Sequence, residues 1–213
     1  MGIGYEASSS LMHLSTEEYS TITNSRLLVV KAEAMAKIWA EMDALAVEYN
    51  GILANENIVL KDVNRQAKIS KGENYKGLPY LVLDYPAVFD KENILAFRTM
   101  FWWGNFFSLT LHLQGIYKER YAALLQNNLL NTGTDGLYIC VNDSAWEYDF
   151  GNDNYLLINE LPKEKIIKMT NDKPFVKLSL KLGLEDYINV KPFMHNAFLR
   201  LALLLKAHPH IRH

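Results

Sequence analysis

A single cysteine, Cys140, in 213 residues excludes any disulfide within the chain and any cysteine-based zinc site. An excess of basic residues is missing too. The formal net charge is −2 and the lysines are spread along the chain, which disfavours non-specific binding of DNA or RNA. No apolar run approaches the ~20 residues needed to span a bilayer, so no membrane partner is expected. The opening MGIGYEASSS has neither the basic nor the apolar segment of a secretory signal, and a cytoplasmic location is the expectation. The strings G-x-G-x-x-G, G-x-x-x-x-G-K-[ST], H-E-x-x-H and G-x-S-x-G are all absent. A mononucleotide-phosphate enzyme of a familiar type is therefore disfavoured, and no cofactor is expected.

What is present is ample apolar material. At 49% apolar and 22% charged residues, the chain can bury a large core without disulfides or a structural metal. Residues 1–14 read as a weakly ordered lead-in. Ser15-Thr16-Glu17-Glu18 matches a capping box and predicts a short helix as far as Asn24-Ser25. A second helix follows, with Leu28, Ala32, Met35, Ile38, Trp39, Met42, Leu45, Ala46 and Tyr49 on one stripe. Asn50-Gly51 is its expected stop, giving a helix of about 37 Å that either crosses the sheet or extends into a partner. Ile52–Gly77 is ambiguous, ending in a polar loop. Pro79–Tyr85 reads as a strand that Pro86 ends.

The segment Ile94–Gly115 organises the rest. Two aromatic and β-branched runs meet at Gly104-Asn105, which suits a two-residue type II′ hairpin turn. Counting outward pairs Trp103 with Phe106, Met100 with Leu109 and Arg98 with Leu111. One side then carries Trp102, Met100, Arg98, Phe107, Leu109 and Leu111. The other carries Phe97, Thr99, Phe101, Trp103, Phe106, Ser108, Thr110 and His112. Ile116–Asn128 reads as a helix, and Leu137–Val141, Trp146–Phe150 and Tyr155–Ile158 as short strands. A helix through Lys163–Met169 is followed by a half-exposed edge strand, Phe175–Leu182, blunted by its lysines. Pro192–Ala207 closes the chain as a helix, and residues 208–213 are a tail. Strands joined by turns, with long helices at both ends, indicate an α+β single domain. Its mostly antiparallel sheet has about six strands, built on the central hairpin and packed by the terminal helices.

Candidate chemistry gathers at the hairpin. A buried Arg98 must find a carboxylate or a ligand anion, and Asp84 on the preceding strand is the internal choice. The aromatic and hydroxyl-bearing side fits a small-molecule pocket, an interface core or the inner face beneath a helix. A pocket there would use Arg98, His112, Thr110 and Asp84 as polar anchors and Trp103 as a stacking wall. His112 has the chemistry of a general base, and a dyad with Cys140 requires the fold to bring the two together. The acidic residues Asp143, Glu147, Asp149, Asp153 and Glu160 miss the calcium-loop pattern, so no metal is expected there. His208, His210 and His213 form at most a weak chelate. Two functional readings follow from the sequence. The first is a non-catalytic domain that acts by self-association as a homodimer, and the second is a binding protein or enzyme for a small ligand, an anion by the reading of Arg98.

Overall fold

The computed structural model describes residues 13–60, 63–64, 66–131 and 133–207. Most of the expected lead-in and the tail with His208, His210 and His213 lie outside them. The chain forms two compact units that divide between Lys37 and Ile38. Among the described residues, no helix is long and apolar enough to cross a membrane.

The first unit holds α1, Thr16–Thr23, and the opening turns of α2, Ser25–Asn55. The Ser15 capping box forms: Glu18 N donates to Ser15 Oγ at 3.1 Å and Ser15 N donates to Glu18 Oε2 at 2.7 Å. Contrary to the expected stop, α2 runs past Asn50-Gly51. Ile52 and Leu53 extend its buried stripe, and their burial outweighs the cost of about 1 kcal/mol for a helical glycine.

The second unit is α+β, with a seven-stranded, wholly antiparallel sheet in the order β1-β2-β3-β4-β7-β5-β6. The strands are β1 Lys68–Tyr75, β2 Leu78–Phe89, β3 Ile94–Trp102, β4 Phe106–Gln114, β5 Tyr138–Cys140, β6 Tyr155–Leu157 and β7 Phe175–Gly183. Helices α3, Ile116–Asn131, α4, Lys163–Asp172, and α5, Val190–Leu203, complete it. The polar stretch read as a loop is β1, an edge strand that needs backbone partners more than apolar alternation. Pro86 does not end β2, because a bulge between Tyr85 and Val88 absorbs it. Trp146–Phe150 is not a strand; it belongs to an irregular segment, 141–154. The Phe175–Leu182 strand is not an edge. As β7 it lies between β4 and β5, and Lys177 is fully buried.

The central hairpin forms with a different loop. Asn105 N donates to Trp102 O at 3.0 Å and Gly104 has φ +70°. Trp103, Gly104 and Asn105 thus form the loop of a type II turn, whose third position needs the positive φ that glycine adopts freely. Trp102 therefore pairs with Phe106, Arg98 with Thr110 and Ala96 with His112. Relative to the expected register, the whole of β4 is turned over.

One face of the sheet is the apolar core. Leu83, Phe97, Leu109, Leu111 and Leu178 are fully buried there. Tyr49 of α2 stacks on Phe198 of α5 with ring centroids 4.0 Å apart, and Phe198 packs on Phe97 at 4.7 Å. Tyr49 Oη shares a hydrogen bond with Thr99 Oγ1 at 2.8 Å, so the polar end of that ring is satisfied inside the core.

Candidate functional site

The opposite face of the sheet is polar, and the register makes it so. Reading across neighbouring strands, one row carries Asp84, Arg98, Thr110, Ser179 and Tyr138. The next carries Ala96, His112 and Lys177, and the β5 register continues it to Cys140 and Tyr155. In-line partners on adjacent strands share a face about 5 Å apart. Four of the five sequence candidates, Asp84, Arg98, Thr110 and His112, thus come together. The expected separation of Arg98 from His112 is overturned by the three-residue turn. Trp103 does not join them. It sits in the turn with its ring edge-on to Phe101 at 6.1 Å, away from the polar rows.

Asp84 holds Arg98 in a bidentate pair, with Nε donating to Oδ1 at 2.7 Å and Nη2 to Oδ2 at 2.9 Å. Arg98 Nη1 donates to Tyr148 Oη at 2.5 Å, and its guanidinium lies over the rings of Phe89 and Tyr148. Thr110 Oγ1 and Ser179 Oγ share a hydrogen bond at 2.8 Å. The first row is internally satisfied.

The second row is not. Lys177 Nζ donates to the backbone oxygen of Glu147 and lies over the Tyr148 and Tyr155 rings at 4.3 and 5.2 Å. No carboxylate among the described residues forms an ion pair with it. Burial, with Arg98 nearby, lowers its pKa to about 8 even though Cys140, Glu147 and Asp149 favour its charge. Beside it, His112 has neither ring nitrogen hydrogen-bonded and its ring lies edge-on to Trp146 and Phe175. Burial, then the charges of Lys177 and Arg98, lower its pKa to about 3. Tyr155 Oη comes near Thr110 without reaching bonding geometry, and burial drives its pKa well up.

Lys177 stands between His112 and Cys140, so those two do not form a dyad. Cys140 Sγ instead approaches Asn154 Oδ1 at 3.5 Å, and burial raises its pKa. The thiol is a packing group here.

Segment 141–154 covers this face without a helix or strand of its own, a length uncommon for an irregular connection. Polar bonds fasten it at several points. Lys173 Nζ donates to the backbone oxygens of Val141 and Asn142 at 2.5 and 2.6 Å and pairs with Asp143. Tyr75 Oη accepts from the backbone N–H groups of Tyr148 and Asp149 and donates to Glu147. Lys76 pairs with Asp149 at 2.5 Å. Asp143, Glu147 and Asp149 therefore serve as fastenings. Among the described residues, no group of three or more His, Cys, Asp or Glu is placed to hold a metal ion.

Sequence reasoning missed Lys177, Tyr148, Tyr155 and Tyr75. Lys177 carried little signal: it alternates with Phe175, which does not suit an exposed face, and also with Ser179 and Lys181, which do. Tyr75 and Tyr148 are 73 residues apart and carried none. No protein family, curated protein or solved structure matches the chain.

Proposed function

We propose that the protein binds a small anionic molecule on the polar face of the sheet, beneath segment 141–154. One observation carries this reading. Among the described residues, a fully buried ammonium, Lys177, has no carboxylate of its own and lies beside His112, whose two ring nitrogens lack hydrogen-bond partners. An unpaired buried charge costs several kcal/mol, and an anion that accepts from Lys177 and from His112 offsets that cost. Arg98 is already matched by Asp84 and serves as a positioning group through Tyr148. Entry requires release of 141–154, which is held by those polar bonds and by the packing of Ala145, Tyr148 and Phe150 against the sheet. No reaction is part of the reading.

Thermal unfolding in the presence of inorganic phosphate, sulfate and a panel of small mono- and dicarboxylates tests it. A bound anion at a hundredfold excess over its Kd adds about 2.7 kcal/mol, or a rise in Tm of roughly 5–10 °C at this size. Lys177→Met removes the buried charge while keeping the length of the chain, so it is expected to fold with unchanged or raised stability and to lose the response. Equal responses from the variant and the wild type, or no response to any of these anions, would sink the reading.

A further inference from the structure

Residues 13–37 include no buried residue, although they are rich in large apolar side chains. Leu14, Tyr19, Ile22, Leu27, Leu28, Val29 and Val30 are all exposed, Ile22 and Leu28 by two thirds of their surface. Scattered exposed leucines are ordinary, but seven within 17 residues are not. The run Leu27-Leu28-Val29-Val30 advances about 100° per residue, so one full turn of α2 is apolar on all sides. A helix apolar all round belongs inside a bundle.

The charges indicate what completes that bundle. Residues 13–37 contain three acidic side chains (Glu17, Glu18 and Glu33) and three basic ones (Arg26, Lys31 and Lys37). A nucleic acid or an anionic membrane needs a basic face, and this surface is balanced. Arg26 and Glu33 lie two turns apart on one face of α2, flanking Val29 and Val30. Their side chains are 71% and 54% exposed and reach each other at 3.7 Å. Antiparallel pairing of this face with itself, centred between Val29 and Val30, sets Val29 of each copy against Val30 of the other. The same two-fold axis brings Arg26 of each copy opposite Glu33 of the other, so one symmetry operation forms both ion pairs. The surface is complementary to itself.

We infer that residues 13–37 are a dimerisation element, in which the N-terminal half of α2 pairs antiparallel with that of a second copy about Val29 and Val30. Self-complementary charge and an exposed apolar turn both lead to that partner. The element is independent of the sheet-face site.

Sedimentation equilibrium of the full chain across a concentration series tests the pairing, with circular dichroism as the control for folding. Wild type is expected at twice the chain mass. Arg26→Glu and Glu33→Arg each set like charges opposite one another twice, and each is expected to raise the dissociation constant tenfold or more. The double variant Arg26→Glu with Glu33→Arg restores opposite charges across the axis and is expected to restore the dimer. Val29→Glu is expected to give a monomer of unchanged helicity, since that side chain is exposed. A wild type that stays monomeric overturns the inference, and so does a dimer indifferent to all three single changes. A monomer that co-floats with phosphatidylserine vesicles overturns it in favour of a lipid surface.

Discussion

Asp84→Leu is expected to destabilise the fold by about 3–5 kcal/mol in urea unfolding, the range found when one member of a buried ion pair is removed. Asp84 is 3% exposed and accepts two of the guanidinium's hydrogen bonds. Without it, Arg98 keeps one phenol and two ring faces, none of which carries a compensating charge. The companion result concerns the double variant. Asp84→Leu with Arg98→Met replaces the pair by apolar groups, and most of the lost stability is expected to return. A cost below about 1 kcal/mol for Asp84→Leu alone would show that Arg98 is neutralised some other way.

Acid is expected to unfold the protein early, and His112 sets the onset. Its folded pKa of about 3 lies below the unfolded value of 6.5, so between these values the unfolded chain binds one proton more than the folded chain. Stability is therefore complete above pH 6.5 and is lost as pH falls toward 3, by up to about 4 kcal/mol from this group. Carboxylates with lowered pKa values, such as Asp90 and Asp149, act only below their own unfolded values of 3.8. The interval from pH 6.5 to 4.5 consequently separates the imidazole of His112 from those carboxylates. His112→Leu is expected to flatten the stability curve there, as measured by urea unfolding at successive pH values. An unchanged slope in the variant would remove His112 from this role. Lys177 acts in the same direction at the alkaline end. Its lowered pKa adds stability as pH rises from about 8 toward 10.5.

Local chemistry was legible in the sequence, and non-local chemistry was not. The Ser15 capping box involves four consecutive residues, and it formed as read. The chain reversal at Gly104 was equally clear, but its register was not. Trp-Gly-Asn fits a turn with glycine second or glycine third, both need a positive φ there, and only the closing hydrogen bond from Asn105 N to Trp102 O decides between them. That one-residue ambiguity reassigned every side chain of β4. It moved His112 and Thr110 onto the face of Arg98, and Phe107, Leu109 and Leu111 onto the core. Lys177 was misread for a different reason. Lysines at alternate positions usually blunt an edge, and nothing near residue 177 reveals that β5 and β6 will flank it. The strand identity of β1 was hidden because an edge strand with few buried side chains has little apolar pattern to show.

The strand order carries a consequence for the chain as it leaves the ribosome. Strands β1 to β4 are neighbours in sequence and in space, so they can assemble by short loop closures as soon as residue 114 has emerged. The β5–β6 pair has no such option: its place in the sheet is the far side of β7, which is synthesised later. Until residue 183 appears, the open flank of β4 is an unpaired strand edge next to largely buried aromatic residues. Synthesis therefore leaves an interval of roughly 70 residues, a few seconds at common elongation rates, in which this edge is open to pairing with another chain.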